Sequence, residues 1–211
     1  MRARIAGLVV VAAAAVASFV AAAPAGAALS GCDEQMQQPY LPWLDPLSYY
    51  LMPGGSFDDA SGWGLSSGAS VVSGNDPYYV DSRTSTRSLY LAPGASATSP
   101  WTCVGLTEPT LRFMAVNSGS PLASLSVTVQ YRDRSGTVRS LLPLPVLGAG
   151  HLAWTPTLPL PIAVNTVLKD VLTLDLRTTQ VRFVLHSSGG LLTSGKWRVD
   201  SMYVDPLVSG W

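Results

Sequence analysis

The chain has 211 residues, of which 12% are charged and 47% hydrophobic, with thirteen basic and thirteen acidic side chains. That length suits one domain of roughly 150–200 residues, and a near-neutral chain without a basic stripe argues against nucleic acid, and against polyanions or acidic membranes held by bulk charge. Sixteen Pro and 19 Gly, with few helix-forming Glu, Lys and Gln, argue against an all-α protein.

The first 27 residues read as a cleaved signal peptide. Arg2 and Arg4 open it, Ile5 to Val20 is an Ala- and Val-rich apolar run, and Ala25-Gly26-Ala27 supplies the small-x-small cleavage pattern. The apolar run is short for a bilayer span of ~20 residues, so cleavage is favoured over a retained anchor. Removing the leader leaves eleven basic against thirteen acidic side chains, a net charge of −2. No later run is long enough to span a membrane, so a secreted, extracellular protein is expected.

Residues 28–46 read as an irregular lead-in anchored by Trp43 and Leu44, and residues 47–211 as a single β-sandwich domain. Cys32 carries two readings. Leu29-Ser30-Gly31-Cys32 resembles a lipobox, which would anchor the chain to the cell surface through a lipid. Alternatively Cys32 pairs with Cys103, the only other cysteine. An even count in an exported chain favours the disulfide, and closing so long a loop stabilises a fold by up to about 4 kcal/mol.

The remainder is dominated by period two. The expected strands, in chain order, are Trp63–Val72, Ser88–Leu91, Thr110–Val116, Leu125–Tyr131, Thr137–Leu142, His151–Thr155, Gln180–His186 and Trp197–Val204. Leu125, Val127, Val129 and Tyr131 alternate with Ser126, Thr128 and Gln130, the pattern of a strand with one buried face. Turns are expected at Pro53-Gly54-Gly55, Gly74-Asn75-Asp76-Pro77, Asp133-Arg134-Ser135-Gly136 and Ser187-Ser188-Gly189-Gly190. Tyr131–Thr137 reads as a hairpin. Ala163–Leu172 is the one segment with a helical reading, against a loop crossing one end. Short strands separated by turns imply an all-β sandwich or barrel.

Catalytic signatures are missing. His151 and His186 lie in strand-like runs without the three-ligand spacing of a zinc site. There is no phosphate loop and no dinucleotide fingerprint. Thirteen acids always offer carboxylate pairs for a glycosidase, so their number discriminates nothing. A non-catalytic binding protein is the expectation.

Phe57-Asp58-Asp59-Ala60-Ser61-Gly62-Trp63 near the start, Ser88-Leu89 in the middle and Trp197-Arg198-Val199-Asp200 at the end resemble galactose-binding-like jelly-roll domains, the fold of many carbohydrate-binding modules. Trp43–Pro46, Pro53–Phe57, Gly74–Pro77 and Asp200–Pro206 are similar, in order and spacing, to a group of exported uncharacterised actinobacterial proteins. The resemblance implies a jelly-roll β-sandwich, a carbohydrate ligand, and one structural calcium ion held by Asp58 and Asp200 with a backbone carbonyl near Ser88. Ser201 stands where the family doubles its acid. The plain alternative has Asp58 and Asp59 in solvent and Asp200 paired with an Arg. Calcium takes six to eight oxygens, so the proposed donors are of the right type.

Aromatics outside the alternating core are the candidate ligand residues. Tyr78 and Tyr79 follow a turn and Trp101 stands beside Pro100. A sugar presents an apolar C–H face that stacks on such rings. The alternative function is a cell-surface structural or protein-binding sandwich with no glycan affinity, which would expose an apolar patch.

Overall fold

The computed structural model describes residues 35–104, 110–132, 135–162 and 179–205. The signal peptide, Cys32 and the helical reading of Ala163–Leu172 lie outside these residues. Among the described residues there are fifteen strands and no α-helix. In chain order they are β1 (Met36–Gln37), β2 (Tyr49–Leu51), β3 (Gly64–Leu65), β4 (Ala69–Ser73), β5 (Arg87–Leu91), β6 (Ser96–Thr98), β7 (Thr102–Val104), β8 (Thr110–Asn117), β9 (Ser124–Arg132), β10 (Val138–Ser140), β11 (Leu144–Leu147), β12 (Thr155–Pro156), β13 (Leu160–Pro161), β14 (Thr179–Ser187) and β15 (Trp197–Asp205).

These strands form a two-sheet antiparallel sandwich. One sheet runs β1-β2-β15-β5-β4, and β8 lies along the other edge of β15 carrying β12 and β13. The other runs β10-β9-β14-β6-β3, with β11 on β9 and β7 on β14. The period-two pattern places the core: Leu125, Val127 and Val129 of β9 lie beside Val181, Phe183 and Leu185 of β14 on one face of their sheet, and all are buried in one core with Leu111, Phe113 and Ala115 of β8. Deleting a fully buried ring such as Phe183 would cost about 3–5 kcal/mol.

Trp63–Val72 is two strands rather than one. Gly68, at φ +86°, turns the chain between them, so that β3 pairs in one sheet and β4 in the other. The His151–Thr155 strand is also corrected. Residues Gly148–His151 form a 3-10 turn, because two glycines in four residues leave little side chain to pack as a strand. His151 faces inward: it is 9% exposed, its Nδ1 lies 3.0 Å from the Leu147 carbonyl, and its ring packs on Trp197 at 5.8 Å. The lead-in is anchored by Tyr40, which is fully buried, and by half-buried Trp43. Leu44 is 93% exposed and anchors nothing.

That lead-in explains why β8 and β15 are buried on both faces. Tyr40, Tyr49, Met114 and Tyr203 form a second apolar cluster, with Trp43, Val80 and Trp154 at its margin. Arg112 of β8 points into it, pairs with Asp45, donates from Nε to the Thr157 carbonyl at 2.8 Å, and lies 4.6 Å from the Tyr40 ring centre.

Candidate functional site

The site begins with an irregularity in β15. Against β8, Asp200 pairs with Met114 but Tyr203 pairs with Arg112, so β15 carries one extra residue there. A bulge of this kind shifts the alternation of the strand by one. Trp197 and Val199 face the main core before it, Met202 and Val204 after it, and Tyr203 is turned into the second cluster. Ser201 sits at the irregularity with φ +51°, a left-handed conformation uncommon outside glycine.

The loop after β4 folds over this bulge. The Asp76 N–H donates to Asp200 Oδ2 at 2.9 Å, and the Ser201 N–H donates to Asp200 Oδ1 at 2.8 Å. Asp76 then organises its own loop by accepting from the Tyr78 N–H on Oδ1 (2.9 Å) and from the Val80 N–H on Oδ2 (3.3 Å). The Ser201 hydroxyl reaches Asp76 Oδ2 at 3.1 Å and Asp81 Oδ1 at 3.4 Å. Tyr40 and Tyr203 close the base, donating to the Ser201 and Val80 carbonyls.

Asp76, Asp81 and Asp200 thus bring carboxylate oxygens within 4.8 Å of one another, with Asp76 and Asp200 fully buried. Burial pushes the Asp200 carboxyl up to about 8; backbone N–H donors oppose this, and the Asp81 and Asp76 charges add to it. Burial also raises Asp81. The Ser85 hydroxyl, 2% exposed, faces Asp81 but has no hydrogen-bond partner of good geometry. Every donor here is a hard oxygen, so the set fits calcium or magnesium rather than a thiophilic metal. A buried group of carboxylates with an orphaned hydroxyl beside it is chemically suited to a cation that would offset its desolvation.

The same loop presents Tyr78 and Tyr79, exposed by 56% and 49%. With Trp43, Val80, Gln37 and Gln38 they line an open groove of about 540 Å³. The Trp43 and Tyr78 rings meet edge to face at 5.1 Å and 88°. The Gln38 amide donates to the Pro46 carbonyl at 2.7 Å, which leaves its oxygen available as an acceptor.

Of the sequence candidates, the structure brings Tyr78 and Tyr79 together and adds Trp43. Trp101 lies elsewhere, on the outer side of the second sheet, with the guanidinium carbons of Arg132 and Arg182 at 4.4 and 4.7 Å from its ring centre. Among the calcium candidates, only Asp200 is in the acidic group. Asp58 accepts from the Thr86 N–H and hydroxyl at 3.0 and 3.2 Å. Ser88 donates to the Gly74 carbonyl and accepts from Arg198 at 2.7 Å. Asp76 and Asp81, which in sequence look like ordinary turn acids, take the places of Asp58 and Ser88. Cys103 is not a free thiol.

No family model and no curated protein matches the chain. Several solved structures are similar in fold. TmCBM61, solved with beta-1,4-galactotriose, is 15% identical, with 72% of this chain and 95% of that one covered and a TM-score of 0.39. The CBM22-1 xylan-binding domain of Paenibacillus barcinonensis Xyn10C is 13% identical (74% and 94% covered, TM-score 0.44). The family 11 carbohydrate-binding module of Clostridium thermocellum, with a beta-1,3-1,4-mixed-linked tetrasaccharide, is 15% identical (74% and 94% covered, TM-score 0.41). Likeness at this level assigns no residue a role. No helix among the described residues is long and apolar enough to cross a membrane.

Proposed function

We propose that the chain is an exported, non-catalytic carbohydrate-binding module. The observation that carries this reading is the pair of exposed rings, Tyr78 and Tyr79, set with Trp43 along an open groove on a loop that buried carboxylates hold in place. Aromatic faces stack on the C–H face of a sugar, and the Gln37 and Gln38 amides supply donors and acceptors for hydroxyls. Asp76, Asp81 and Asp200, with the Ser85 and Ser201 hydroxyls, would hold one structural calcium ion. The ion would supply charge compensation and fix the loop beneath the rings. Export through the leader and a Cys32–Cys103 disulfide belong to the same reading.

The test is a glycan array with calcium and with chelator, followed by titration of any hit against Tyr78→Ala and Tyr79→Ala. Binding that alanine weakens supports the groove. Binding that alanine leaves intact places the ligand elsewhere.

A second reading, adhesion to another protein, has one observation in its favour. Leu122, Leu147, Leu152, Leu191 and Leu192 are 62–98% exposed. They lie on or beside three neighbouring loops joined by the Gly148 N–H to Ala123 carbonyl and Ser120 hydroxyl to Leu192 carbonyl hydrogen bonds. Loss of self-association or surface adhesion on replacing Leu191 and Leu192 with Ser would support it.

A further inference from the structure

The outer side of the second sheet carries an arrangement that the groove does not use. Trp101 stands between β6 and β7, and both strands pair with β14. Its neighbours Thr102 and Val104 point into the core, so Trp101 turns outward. There it meets Arg132 of β9 and Arg182 of β14, which lie on adjacent strands with Arg182 opposite Gln130. Both guanidinium carbons are within 4.7 Å of one ring centre, so they are at most about 9 Å from each other.

Two cations this close repel one another, and each cation–π contact offsets only part of that. Neither arginine has a carboxylate partner among the described residues; the one ion pair there is Arg112 with Asp45. Arg182 is aimed rather than loose. Its Nε donates to Gln130 Oε1 at 2.8 Å, and Gln130 Nε2 donates to the Ser140 hydroxyl at 3.1 Å. That relay holds the fork by its Nε and leaves its terminal nitrogens without a hydrogen bond among the described residues. Arg132 is exposed and, beyond Trp101, donates among the described residues only to the Gly136 carbonyl, at 3.5 Å.

We infer that Trp101, Arg132 and Arg182 form a second ligand site, specific for a sugar ring bearing a carboxylate, that is, a uronic acid residue of an acidic polysaccharide. A guanidinium fork matches the two oxygens of a carboxylate. Two such forks held over one indole ring place paired cationic donors where a carboxylate-bearing sugar can meet them. The selectivity is local, a pair of arginines on an otherwise near-neutral chain. This assignment rests on the carbohydrate reading above, but uses none of the groove residues.

The test is affinity electrophoresis or titration calorimetry with polygalacturonate, its fully methyl-esterified form, a sulfated galactan and a neutral galactan. Arg132→Gln, Arg182→Gln and Tyr78→Ala are compared with the parent, each shown folded by thermal denaturation. The expected result is salt-sensitive binding of polygalacturonate and not of its ester, weakened at least about tenfold by either arginine change and unaffected by Tyr78→Ala. Equal binding of the ester, preference for the sulfated polymer, no binding of polygalacturonate by the folded protein, or indifference to both arginine changes would overturn it. The neutral galactan with Tyr78→Ala reports on the groove separately, so the two sites can fail independently.

Discussion

The backbone N–H of Asp76 donates to the carboxylate of Asp200 at 2.9 Å, joining positions 124 residues apart. This bond fastens the loop that carries Tyr78 and Tyr79 to the bulge in the central strand of the first sheet. The Asp76 side chain then fixes that loop from within, so the aromatic groove depends on carboxylates that never touch its surface.

Asp76→Ala removes the acceptor for two backbone N–H groups and the Ser201 hydroxyl, all of them buried or half-buried. Leaving such donors unpaired costs about 1–3 kcal/mol. A lower midpoint in urea with an unchanged slope is expected, together with weaker binding at the groove. An unaltered midpoint would show that the loop is held by other means.

The raised carboxyls set a pH dependence for the metal-free protein. Asp200 moves from 3.8 to about 8 and Asp205 from 3.8 to about 6, in both cases chiefly through burial. Between each pair of values the folded state keeps a proton that the unfolded chain has released, so stability falls as pH rises across that window. In chelator, thermal stability should decline from about pH 4 to about pH 8, following the two shifts. Calcium should flatten the upper part of that decline, because a bound cation holds Asp200 ionised in the fold. Stability that rises with pH in chelator would contradict the assignment.

Local patterning made the layers legible. The alternation through Leu125–Tyr131 and Gln180–His186 predicts β9 and β14 nearly to the residue, because a one-residue slip would expose every core side chain. The bulge in β15 was not legible, since Ser201 occupies a left-handed conformation with no glycine to announce it. Asp76 and Asp81 looked like turn acids because a turn is where they are. Their meeting with Asp200 is a long-range fact that spacing does not encode. The one available signal was two acids five residues apart bracketing a Pro-Tyr-Tyr turn. His151 was placed in a strand because the turn that its glycines announce runs one residue further, through His151, and the strand begins only at Thr155. Trp101 was identified as an outward aromatic, but its two arginines come from strands distant in sequence.

Arg112 and Asp45 form an ion pair whose side chains are only 10% and 12% exposed. Arg112→Met leaves Asp45 without its counter-charge and should destabilise by about 3 kcal/mol. Adding Asp45→Asn should restore part of that loss, so the double variant is more stable than the sum of the singles predicts. Strict additivity in a urea double-mutant cycle would mean that the pair contributes no coupling. The lead-in would then be held by the packing of Tyr40 and Trp43 and the pairing of β1 with β2.

Tyr78 and Tyr79 are each about half exposed, so replacing either with Ala should shift stability by less than about 0.5 kcal/mol. Loss of a stacking ring should nonetheless weaken a bound glycan by roughly two- to tenfold. A variant that binds normally would remove that ring from the site.

The most direct test is titration calorimetry of the purified protein with the strongest hit from a neutral glycan array, run in calcium and in chelator, on the parent and on the double variant Tyr78→Ala, Tyr79→Ala. Saturable binding in calcium, weakened in chelator and lost in the double variant, is the predicted result. Binding that survives the double variant, or no binding to any glycan by a protein shown to be folded, would contradict the groove as a carbohydrate site.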